Sequence, residues 1–110
     1  MLSKKTIMEI AEAVLKRNNL STKLVFCKPV EFERKSTKSP IILQSLKEGN
    51  TLEELGITAL VSQSENTIFI SEKIMKKMIQ NEPSNIQKKF IQAVIHHEII
   101  HLISTKKKKE

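Results

Sequence analysis

From Ser84 to Ser104 the chain runs without a glycine or proline. That run predicts a helix of roughly twenty residues, ~30 Å long at 1.5 Å rise each. Ser84 and Gln87 have the spacing of a capping box at its start. Its centre, Phe90-Ile-Gln-Ala-Val-Ile-His-His-Glu-Ile-Ile-His-Leu-Ile103, is apolar almost all round. Such a helix is expected to be buried. It also holds every histidine of the chain and one glutamate. Polar groups in a buried helix need a reason, because leaving them unpaired is costly.

The rest of the chain supplies elements to cover that helix. Thr6 and Glu9 have capping-box spacing, and Ile7, Ile10, Ala11, Val14 and Leu15 recur on one helical face up to Asn18. Lys23 to Glu33 is dense in β-branched and aromatic residues and reads as extended, with Pro29 favouring an edge or two short pieces. Arg34 to Ser39 reads as a polar loop. Pro40 opens a second helical stretch through Ile42, Leu43 and Leu46 to Gly49. Thr51 to Leu55 reads as a short turn closed by Gly56. Ile57–Gln63 and Thr67–Ser71 form a predicted hairpin around Ser64-Glu65-Asn66. Ser71 is placed to cap a short helix whose Met75 and Met78 read as core filler. The expected architecture is α+β: a small, about three-stranded twisted sheet with a hairpin, backed by the N-terminal helix and the long histidine-bearing helix.

Composition narrows the function classes. The 110 residues suit one domain, 1–110, with a basic tail at 106–110. Apolar and charged fractions of 39% and 28% are those of a globular chain. A lone Cys27 excludes an intrachain disulfide or a CxxC zinc site, and reads as a buried, inert thiol. No apolar run reaches the ~18 residues of a membrane span. Met1-Leu-Ser-Lys-Lys leads into a charged amphipathic stretch rather than a secretory apolar region, so the expected location is cytoplasmic. The formal charge of +7 raises nucleic acid as a partner, but four of the lysines are Lys106 to Lys109. Only Arg17 and Arg34 are arginine, and no aromatic–arginine interleaving occurs. Nucleic acid is therefore set aside as the primary partner.

His97, Glu98 and His101 spell His-Glu-Ile-Ile-His, the HExxH pattern. Residues i and i+4 share a helical face, so both imidazoles can reach one Zn2+. Glu98 lies about 100° from His97 and about 60° from His101, at the edge of that face. From there it can take a proton from a water held by the metal, whose pKa zinc lowers towards ~7. The spacing thus makes His97 and His101 candidate metal ligands and Glu98 a candidate general base.

The run Asn66-Thr-Ile-Phe-Ile-Ser-Glu-Lys-Ile-Met, followed by Gln92-Ala-Val-Ile-His-His-Glu-Ile-Ile-His, resembles the core of the minigluzincins. These are minimal zinc metallopeptidases of the selecase type. It is also similar to the catalytic cores of the HtpX and Oma group of membrane metallopeptidases. The resemblance spans residues 57–103. It implies a truncated zincin-like fold, zinc, endopeptidase activity, and the roles just given for His97, His101 and Glu98.

The chain departs from that pattern in two places. The family takes a third protein ligand from beyond the motif helix, yet here only nine residues follow His101 and none is histidine. Candidates are Glu110 or the terminal carboxylate, the Glu53-Glu54 pair, or a residue of a second subunit; otherwise two protein ligands and water remain. The chain also has no Tyr to aim at a developing oxyanion, and no Asp to orient a ligand imidazole. His96 reads as structural, hydrogen-bonded at the helix flank. A slow, selective peptidase is expected, binding an extended peptide along Thr67–Ser71 or Ile57–Gln63. Exposed strand edges and an incomplete site also predict self-association, with the cleft blocked in the oligomer. The competing reading is a binding or regulatory module that keeps the helix but has lost catalysis.

Overall fold

The computed structural model describes residues 3–108, with side chains through Ser104. Met1, Leu2, Lys109 and Glu110 lie outside the described residues, so the opening of the N-terminal segment and the Glu110 ligand candidate are not addressed by the fold. The side chains of the basic tail likewise lie outside them.

The expected α+β architecture is present, with five helices around a three-stranded sheet among the described residues. The first helix, α1 (Lys4–Arg17), begins earlier than its spacing suggested. Ser3, not Thr6, is the cap, and its Oγ accepts from the Thr6 amide at 3.2 Å. Asn18 and Asn19 end the helix, Asn19 in the left-handed region at φ 56°.

Strand β1 (Lys23–Cys27) follows, and the extended reading fails beyond it: residues 29–36 form helix α2 (Pro29–Ser36). Proline fits the first helical position, where its missing N–H would be unpaired in any case. Phe32 and Ser36, one turn apart, are the residues this helix buries. The Ser36 hydroxyl donates to the Glu33 carbonyl at 2.6 Å. Helix α3 (Pro40–Lys47) starts at the expected proline, capped by Ser39, and Gly49 turns the chain at φ 95°. The turn at 51–56 ends on Gly56 at φ 70°.

Strands β2 (Ala59–Ser62) and β3 (Thr67–Ser71) form the expected antiparallel hairpin, Ala59 facing Ile70 and Ser62 facing Thr67. The strand order is β1-β3-β2, with β1 parallel to β3 and Lys23 facing Thr67. Strand β3 is therefore central, and all five of its residues are buried. Contrary to expectation, Thr67–Ser71 offers no edge to a peptide, because both its edges are already paired. Among the described residues, β1 and β2 are the edge strands.

Alternation along β3 divides the core in two. Ile68 and Ile70 pack with Ile7, Ala11 and Val14 of α1 and with residues of the long helix. Phe69 points the other way, to Phe32, Leu52 and Ile74. Helices thus cover both faces of the sheet. Ser71 caps α4 (Glu72–Ile79) as expected, its Oγ accepting from the Ile74 amide. Met75 is fully buried, but Met78 is 46% exposed and is not core filler.

The last helix is α5 (Ser84–Lys108). Its capping box does not close. The Gln87 side-chain amide instead donates to the carbonyls of Ile79 and Glu82, tying α5 to the end of α4. Nor is α5 buried all round. Ile91, Ile95, Ile99 and Leu102 face the core, whereas His96, His97, Ile100, His101 and Ile103 are exposed. Among the described residues, no helix is long and apolar enough to cross a membrane.

Candidate metal centre and cleft

The exposed side of α5 is where the motif histidines meet. One helical turn apart, His97 and His101 bring their Nε2 atoms to 2.9 Å, with ring centroids 4.5 Å apart and planes nearly perpendicular. In the metal-free chain one imidazole donates its Nε2 proton to the other. Two nitrogens on one tetrahedral zinc at ~2.0–2.1 Å stand ~3.3 Å apart. The pair needs to open by only a few tenths of an ångström, so its donor set fits a zinc ion.

Glu98 sits at the boundary between this surface and the core, 9% exposed. Among the described residues nothing hydrogen-bonds or ion-pairs with its carboxyl group. Burial alone pushes its pKa up to about 7. A carboxyl group poised there exchanges a proton readily at neutral pH, the property a general base or acid requires.

His97 and Glu98 stand at one end of a cleft of about 360 Å³ between α5 and the entry to β2. Gly56, Ile57, Thr58 and Ala59 form one wall, and Phe90, Ala93 and Val94 of α5 the other. Met78 of α4 also lines it. Among the described residues, His97 and Glu98 are the ionisable side chains that line it. Ala59 starts β2, and Gly56, Ile57 and Thr58 lead into it, so of the two segments considered for peptide binding only Ile57–Gln63 borders the cleft. The apolar lining from Phe90, Val94 and Met78 was missed in the sequence, although Phe90, Val94 and His97 recur at helical spacing.

A third ligand is not brought in. Among the described residues no group of three His, Cys, Asp or Glu side chains could hold a metal ion. Glu53 pairs with Lys77 at 2.7 Å, and Glu54 accepts from the Thr51 hydroxyl at 3.0 Å. His96 is exposed and makes no hydrogen bond among the described residues, so the expected flank bond is absent. It borders a separate hollow with Arg17, Asn18 and Gln92. Cys27 is buried, as expected, and its thiol is shifted up, chiefly by burial.

No family model, curated protein or solved structure matches the chain.

Proposed function

We propose that this chain is a zinc-dependent endopeptidase of minigluzincin type, slow and selective, acting on a peptide laid along the free edge of β2. The observation that carries the proposal is the convergence of the His97 and His101 nitrogens at 2.9 Å, with His97 and Glu98, whose carboxyl has no partner among the described residues, lining one cleft. His97 and His101 would hold the ion. When bound, zinc supplies Lewis acidity towards water and the scissile carbonyl.

The chain's own groups do the rest. Backbone N–H and C=O groups on the outer edge of β2 hold an extended peptide by strand addition. Ile57, Phe90, Val94 and Met78 exclude water and receive an apolar side chain. Glu98 accepts the proton of the attacking water at a carboxylate oxygen, then delivers it to the leaving amine. No tyrosine is present to assist the developing oxyanion, which supports low turnover. Location in the cytoplasm is part of the same proposal, in keeping with one buried cysteine.

The test is hydrolysis of unstructured protein such as casein by zinc-loaded chain and by Glu98→Gln. Cleavage that vanishes in Glu98→Gln while zinc is retained supports the reading. The absence of a third ligand among the described residues favours one alternative, a metallopeptidase-like binding module without catalysis. That alternative predicts zinc binding with no cleavage by either protein.

A further inference from the structure

The exposed face of α5 has a pattern that a solvated helix does not need. Ile86, Phe90, Ala93, His97 and Ile100 recur at alternating steps of four and three. That is the a/d spacing of a helix–helix seam, and it lies opposite the stripe that packs on the sheet. Ile86 and Ile100 are 40% and 52% exposed, Ala93 and His97 are exposed, and Phe90 is half-buried. His97 lies in this row and His101 flanks it one turn on, both exposed, with their Nε2 atoms 2.9 Å apart. They are two donors where zinc ordinarily takes three or four.

We infer that two copies of the chain share one zinc ion between the outer faces of their α5 helices, each giving His97 and His101. The inference rests on the metal site proposed above and adds its second half. Four imidazoles fill a tetrahedral zinc shell, and a two-fold axis through the ion supplies the missing donors from the residues already present.

Contact along one helix face falls well short of the ~1,200 Å² at which stable interfaces begin. Two chains of formal charge +7 also repel. The pair therefore forms only with the ion.

Sharing has a signature that ordinary metal binding lacks. One ion per two chains is optimal, and excess ion gives each chain its own. Sedimentation of tag-free chain at high micromolar concentration, titrated with zinc, is the experiment. Mass should double from 12.6 kDa as zinc approaches half an equivalent, then return towards the single chain in several-fold excess. Ile100→Glu should stay a single chain throughout while still binding zinc, and His101→Ala should not dimerise. A single-chain mass at every ratio, with one zinc per chain, overturns the shared site and leaves the peptidase reading standing. Zinc absent at every ratio overturns both. Dimers that survive chelator, or that persist in Ile100→Glu, overturn the inference as well.

Discussion

The Nε2 atoms of His97 and His101 stand 2.9 Å apart on the solvent side of α5, while Glu98, between them in sequence, is turned towards the core and is 9% exposed. A helix makes this division inevitable. Positions i and i+4 overlap on one face, and position i+1 is rotated about 100° towards the neighbouring one. The same three residues thus present two donors to water and one carboxyl group to a drier setting.

Because both histidines are exposed and pack against little, removing either should leave the fold intact. His97→Ala and His101→Ala should each change unfolding free energy by no more than about 0.5 kcal/mol. Zinc affinity should fall at least about tenfold in each, since a chelating pair becomes a single imidazole. Thermal unfolding and zinc titration of the same preparations check the two halves together.

Glu98 makes the metal-free chain sensitive to pH in an unusual direction. Its folded pKa of about 7 lies above the ordinary value of 4.5, so the folded state favours the protonated form. The group opposes folding only once the unfolded chain can ionise it. Stability is highest below about pH 4.5 with respect to this group, declines as pH rises, and levels off above about pH 7. The loss is at most about 3 kcal/mol. Glu98→Gln should flatten that decline and be the more stable protein at pH 8. Urea unfolding in the presence of chelator, from pH 5 to 8, measures it; a parallel pH dependence in both proteins would contradict the assignment.

The cleft can be blocked without touching the histidines. Val94→Trp extends a half-buried wall residue into the space of about 360 Å³. Peptide hydrolysis should drop at least about tenfold in kcat/KM, while zinc content stays unchanged. Full activity in this variant would show that substrate does not pass between β2 and α5.

Ile95 anchors α5 to the sheet and is fully buried with Ile68, Ile70 and Met75. Ile95→Ala should cost about 2–5 kcal/mol, far more than any change on the histidine face. Chemical denaturation distinguishes the two classes of substitution.

Much of the fold was legible because its signals are local. Ser71 before Glu72, Pro40 after Ser39, and the Asn66 turn between two apolar runs each act over a few residues. Pro29 to Ser36 misled because Val30, Glu31, Phe32 and Glu33 alternate like a strand. The one-turn spacing of Phe32 and Ser36, which α2 buries, carried less apolar weight. The centrality of β3 was not readable, since pairing with β1 joins residues more than forty positions apart. In α5, apolar residues on both sides concealed which side faces the sheet. The two histidines and the glutamate were legible as a helical motif, whereas a third donor depends on long-range placement that the motif does not encode.

The central claim is that His97 and His101 hold zinc, and elemental analysis of tag-free protein, purified without chelator and then exposed to zinc, tests it most directly. Between half and one zinc per chain, lost in His97→Ala, is the predicted result. No zinc in the wild-type chain after exposure would contradict the account and leave α5 a helix with two surface imidazoles hydrogen-bonded to each other.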